Sequence, residues 1–174
     1  LLAEAGYPNG KGFPEVEVLY NTSDVHRPVF EALQAMWKQN LNIHVNLLNQ
    51  EWKVYLMLEK QGNFSLARQA WVGDYNDPSS LMDIFQSDDP NNHSRWCSLK
   101  YDYLLFQAKS AVNEEKRVKL LQEAERIFVQ DMPAIPVFWG TSLHLVSPHV
   151  KGWFPNVMNI HPWKCVSKSQ DGVK

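Results

Sequence analysis

Alternation of apolar and polar residues with period two marks a first predicted strand from Glu15 to Tyr20. Asn21-Thr22-Ser23 then supplies capping side chains, and Pro28 stands where a first helical turn tolerates it. Val25, Val29, Leu33, Met36 and Trp37 recur at helical spacing, which predicts a helix to about Gln39. Leu41 to Leu48 alternates again, with Ile43, Val45 and Leu47 on one side. Strand, helix and strand with short links predict a βαβ unit with parallel strands and a right-handed crossover.

The pattern continues with a shorter helix over Glu51 to Gln61, where Tyr55, Leu56 and Leu58 are apolar positions, and a third strand from Phe64 to Trp71. Ser79 or Ser80 is placed to cap a helix running through Phe85, and the polar, turn-rich Gln86 to Arg95 predicts a loop. Leu99 to Val112 and Glu114 to Gln130 predict two helices, separated and capped by Asn113. In the second of these, Val118, Leu121, Ala124 and Phe128 face away from a charged side. Pro133 ends that helix, and Ala134 to Trp139 and Ser142 to Ser147 then predict strands. The tail after Pro148 holds Trp153, Phe154 and Trp163 without a clear period. The sum is an α/β chain.

Composition narrows the class. A chain of 174 residues with 44% apolar and 21% charged residues has the length and balance to bury a core. Seventeen basic against nineteen acidic residues give a net charge of −2, which favours neither nucleic acid nor an anionic membrane as partner. The opening Leu1-Leu2-Ala3-Glu4-Ala5-Gly6 lacks a basic segment and a long apolar run, and reads as the start of an excised fragment. Cys97 and Cys165 have no metal-type spacing and leave a single disulfide open. Seven tryptophans suit a core, and equally a site for varied organic ligands.

Candidate chemistry concentrates in Arg68-Gln69-Ala70-Trp71-Val72-Gly73-Asp74-Tyr75-Asn76-Asp77-Pro78. Here a strand pattern runs into a Gly/Asn/Asp/Pro turn, and a guanidinium, an indole and a carboxylate fall within seven residues. A backbone leaving a sheet can offer an unpaired edge to the main chain of a ligand, with charges for the ligand's ends. The bland alternatives are an Asp74 that closes its own turn, an Arg68 paired with a structural acid, and tryptophans packed in a core. Six histidines (His26, His44, His93, His144, His149, His161) raise the question of metal, but no pair has a recognised ligand spacing with a carboxylate. Asp74, Asp77, Asp83 and His93 could be imagined as a metal-dependent hydrolytic cluster, yet no nucleophile elbow, HExxH or phosphate-cradling loop is present.

Several further stretches occur in one order with that segment. They are Leu1 to Tyr7, Leu19-Tyr20-Asn21-Thr22-Ser23-Asp24, Asn49-Gln50-Glu51-Trp52, Asn91-Asn92, Trp96 to Asp102 and Asp131 to Val137. Together they resemble the C-terminal portion of the oligopeptide-binding proteins, extracellular solute-binding family 5 of bacterial ABC importers. The resemblance implies a periplasmic-binding-protein-like lobe with a mixed sheet flanked by helices. Its expected extent is 1–147, with a tail, 148–174, returning to a missing lobe. It implies binding of short peptides by backbone pairing, delivery to an ABC permease, no enzymatic activity, no cofactor and no nucleic acid. A periplasmic or lipid-anchored parent is expected, and a fragment that is itself monomeric.

By the same resemblance Asp74 takes the peptide α-amino group, while Arg68 and His26 receive peptide carboxylates, His26 as a cation or a neutral donor. Ala70, Trp71 and Val72 lend the backbone edge, and Trp71 and Trp52 wall side-chain pockets. Val72 stands where some relatives carry a cysteine, and Gly140 follows Phe138-Trp139 where relatives place another aromatic, so side-chain preference stays open. Other solutes of the superfamily, namely metal, haem, sugars or murein peptides, are the alternatives.

Overall fold

β1 (Val16–Asn21) buries Val18, Leu19 and Tyr20 in succession, so both of its faces are covered, as suits the central strand of a parallel sheet. On one side it pairs along its whole length with β2 (Val45–Gln50), and on the other with β3 (Leu66–Ala67), in the order β2-β1-β3. The predicted βαβ unit is therefore present: α1 (His26–Leu41) links β1 to β2, and α2 (Trp52–Gln61) links β2 to β3. The face that α1 buries is only partly the expected one, with Leu33 and Trp37 packed as predicted. Phe30, Leu33 and Trp37 pack on Val18, Tyr20, Ile43 and Val45, while Val25 and Met36 are exposed. Gly10 fixes the entry to this unit, since at φ +72° a Cβ there would strike the Leu41 and Asn42 carbonyls.

The computed structural model describes residues 1–156 and 158–169, which fall into two compact units, Leu1–Ala70 and Trp71 onward. The expected boundary after residue 147 is a different division, and its tail includes residues 157 and 170–174, outside the described ones. In the second unit, α4 (Leu99–Ser110) and α5 (Glu114–Asp131) pack together around Tyr101, Leu104, Leu105, Ala108, Leu121 and Ala124. Asn113 caps α5 as predicted, its side chain accepting the Lys116 N–H at 2.8 Å. Met82 and Phe85 pack on this core from α3 (Ser79–Met82) and the 3-10 turn after it, Asp83–Phe85.

The strand expectations change. The third strand shrinks to Leu66–Ala67, because only these residues find a partner ladder on β1. Ala134 to Trp139 and Ser142 to Ser147 are not strands among the described residues. Alternation favours an extended chain, but a strand also needs a neighbour for its N–H and C=O groups. Here Val137, Phe138, Trp139, Leu143 and Leu145 are exposed. The tail instead makes its own two-stranded antiparallel pair, β4 (Val150–Lys151) with β5 (Ser167–Lys168). Cys97 and Cys165 are free, exposed thiols, so the disulfide left open by the sequence does not form. The α/β class itself holds.

Candidate functional site

His26, Trp52 and Arg68 lie at corresponding places in the first unit. His26 opens α1 just after β1, Trp52 opens α2 just after β2, and Arg68 directly follows β3. Since the three strands run parallel, all three residues stand at carboxyl ends of the sheet. In open α/β sheets ligands bind outside those ends, at the strand pair where connections change side. The order β2-β1-β3 puts that switch between β1 and β3, the strands followed by His26 and Arg68. Two helix N-termini face the same end of the sheet, which favours negative charge there.

Local contacts fix these side chains. Arg68 is tied by its main chain: its N–H donates to the Leu19 carbonyl at 2.8 Å, and its carbonyl meets the Tyr55 hydroxyl. Tyr55 is buried, with its oxygen also 3.0 Å from Glu59 Oε1, so its single proton serves one of two acceptors at a time. Burial first, and then Glu59, push the Tyr55 hydroxyl up, which keeps that proton in place. The exposed Trp52 ring stacks on Tyr55 with centroids 5.5 Å apart.

The Arg68 guanidinium has no carboxylate within ion-pair distance among the described residues, so the reading of a structural ion pair fails. It does act on His26. Partial burial first, and then the Arg68 charge, lower the pKa of this imidazole. His26 Nδ1 lies 3.4 Å from the Asn21 carbonyl, which can only accept, so the proton of the neutral ring belongs on Nδ1. In that tautomer Nε2 of the neutral ring is an acceptor.

The second unit opens with the rest of the segment. Asp74 and Val72 are exposed, and the buried indole N–H of Trp71 has no acceptor among the described residues. Ala70, Trp71 and Val72 belong to no strand, and no backbone hydrogen bond engages them among the described residues. Among the described residues their main-chain donors and acceptors are unpaired, and no sheet continues to them.

Asp74 does not close its own turn. Ser80 Oγ accepts the Asp74 N–H at 2.6 Å and the Tyr75 N–H at 3.5 Å. Asp77 Oδ1 accepts the Ser79 N–H at 2.9 Å and the Ser79 hydroxyl at 2.7 Å, so Asp77 caps α3 rather than the serines predicted to. Arg117 Nη2 from α5 reaches the same Asp77 oxygen at 2.6 Å. That bond, ahead of the Ser79 bonds and against some burial, holds the Asp77 carboxyl at about 2. The Asp74 carboxylate makes no hydrogen bond or ion pair among the described residues.

Sequence reasoning missed Tyr55, Ser80, Asp77 and Arg117 as supports. Only Asp77 had a local signal, the Asp-Pro-Ser turn before a helix. Among the described residues no group of three or more His, Cys, Asp or Glu is placed to hold a metal ion.

The model of the bacterial extracellular solute-binding proteins, family 5, middle region, matches residues 1–93, more than half of the chain. The chain belongs to that family. It is 38% identical over 153 residues to the periplasmic oligopeptide-binding protein OppA of Salmonella typhimurium, covering 88% of this chain and 28% of that protein. To the oligopeptide-binding protein OppA of Bacillus subtilis it is 34% identical, over 87% of this chain and again 28% of the relative. Among solved structures, the murein tripeptide binding protein MppA of Escherichia coli superposes with TM-score 0.86 at 34% identity, over 98% of this chain and 33% of that one. OppA of Haemophilus influenzae in complex with RPPGFSPFR gives 0.84 at 32%, over 97% and 33%. The chain thus spans just over a quarter of the length of the curated relatives it matches.

Proposed function

We propose that this chain is the peptide-contacting portion of a solute-binding component of an ABC importer, acting outside the cytoplasmic membrane and without covalent chemistry. Its ligand is a short peptide. Asp74 takes the peptide ammonium, Arg68 receives a carboxylate, and His26 assists it. The main chain of Ala70, Trp71 and Val72 pairs with the ligand backbone, and Trp52 and Trp71 wall side-chain pockets. Peptide main chain looks alike whatever its sequence, so this mode gives affinity with little sequence reading. A permease then accepts the cargo, and the binding component itself works as a monomer.

The observation that carries this reading is the pairing of open charges. The Asp74 carboxylate and the Arg68 guanidinium both lack an internal partner among the described residues. Leaving an ion without a partner is costly once a ligand covers it. A free peptide brings one ion of each sign. Similarity alone does not choose the solute, because relatives of 38% identity are named for oligopeptide, murein peptide and, as a probable function, deoxycholate binding. A bile acid anion has no ammonium for Asp74, which favours the peptide.

Titration of the isotope-labelled chain with millimolar tripeptides, against their N-acetylated forms, tests this. Amide shifts at residues 68–75 with free peptides, lost on acetylation, are expected. Shifts with deoxycholate and none with peptides would overturn it.

A further inference from the structure

We propose that Arg117, forty residues beyond the segment that meets the ligand, is a positioning residue for ammonium recognition by Asp74; this rests on the peptide reading above. An exposed carboxylate on an irregular turn binds an ammonium well only if the turn holds it in one place. Asp74 has no strand or helix to do that. Its backbone N–H is held by the hydroxyl of Ser80, a buried residue in the first turn of α3. The start of α3 is in turn set by Asp77 Oδ1, which accepts from the Ser79 N–H, the Ser79 hydroxyl and Arg117 Nη2. A continuous path of bonds therefore runs from α5 through Asp77 and α3 to the main chain of Asp74.

Arg117 has a second effect in the same place. Asp77 is three residues from Asp74 and is itself a carboxylate that an ammonium could choose. The Arg117 guanidinium occupies it at 2.6 Å, with both partners partly buried at side-chain exposures of 21% and 28%. The turn then offers one open carboxylate instead of two. Glu114, 3.7 Å from Arg117 Nη1 and largely exposed, adds a weaker contact on the solvent side. On the other flank, the Tyr75 hydroxyl donates to Asp83 Oδ2 at 3.2 Å. Lys109 from α4 lies 3.2 Å from Asp83 Oδ1, an ion-pair contact without hydrogen-bond alignment. Asp74 is thus bracketed by neighbours that are each tied back to the helices, and of the two charged ties Arg117 to Asp77, at 2.6 Å, is shorter than Lys109 to Asp83, at 3.2 Å.

The test is the ratio of affinities for a free tripeptide and its N-acetylated form in the wild-type chain, Arg117→Gln, Arg117→Lys and Glu114→Gln, with thermal unfolding of each. The wild type should prefer the free peptide about tenfold or more. Arg117→Gln should bring that ratio to within about threefold of unity, and Arg117→Lys, which keeps the charge, should restore much of it. Glu114→Gln should leave it unchanged. Arg117→Gln that weakens both peptides equally, or leaves the ratio intact, overturns the positioning role. A wild type with no preference for the free peptide instead overturns the reading of Asp74 on which this one stands.

Discussion

In the first unit, His26, Trp52 and Arg68 are placed by topology: each begins just where a parallel strand ends. In the second, Asp74 lies on an irregular turn and is placed by side chains, through Ser80, Asp77 and Arg117. The two means differ in what they require. A residue at the end of a paired strand keeps its place as long as the sheet persists. A residue on a bonded turn depends on a few polar contacts and on the helices that supply them. Arg68 and His26 should accordingly tolerate change around them better than Asp74 does.

The largest effect that separates the two comes from the helical core. Leu105, 1% exposed in the α4–α5 packing, should cost about 2–5 kcal/mol when truncated to Ala. Amide exchange should then quicken in α4, α5 and the Asp74 turn, while β1 and β2 keep their protection. Equal loss of protection in β1 and β2 would erase the distinction between the units. Next in size, Arg68→Ala should weaken tripeptides with a free carboxylate about tenfold, the worth of one charge-assisted bond, and amidated tripeptides far less. Calorimetric titration of both ligands reads the difference.

The smallest effect is one of pH. Asp77 sits at about 2, below its ordinary 3.8, chiefly through the bond from Arg117. A carboxylate depressed on folding contributes stability that is complete above its unfolded value and lost as pH falls through its folded one. Solvent screening should hold the drop in stability to about 1 kcal/mol or less between roughly pH 4 and 2, and Arg117→Gln should remove most of that step. An acid step of the same size in the variant would show that other carboxylates produce it.

The sequence made the first unit legible because its signals are local. Alternation around Val18, helical spacing in α1 and short links predict a parallel pair, and hence the strand ends where His26 and Trp52 stand. Even there, the buried face of α1 fell on Phe30 rather than Val25 and Met36, since which side meets the sheet depends on the partner. The second unit hid more. Arg117 pairs with Asp77 across forty residues, and nothing in the spacing of either reports the other. Ala134 to Ser147 has the alternation of strands without a ladder to join, so the pattern overstated the structure.

Removal of the charge at Asp74 is the most direct measurement. The affinity of one tripeptide and of its N-acetylated form is compared in the wild-type chain and in Asp74→Asn, which keeps the shape of the side chain. The account predicts that the free peptide loses about tenfold to a hundredfold while the acetylated peptide changes little, so that the preference disappears. An equal loss for both peptides, or an unchanged preference in Asp74→Asn, would contradict it.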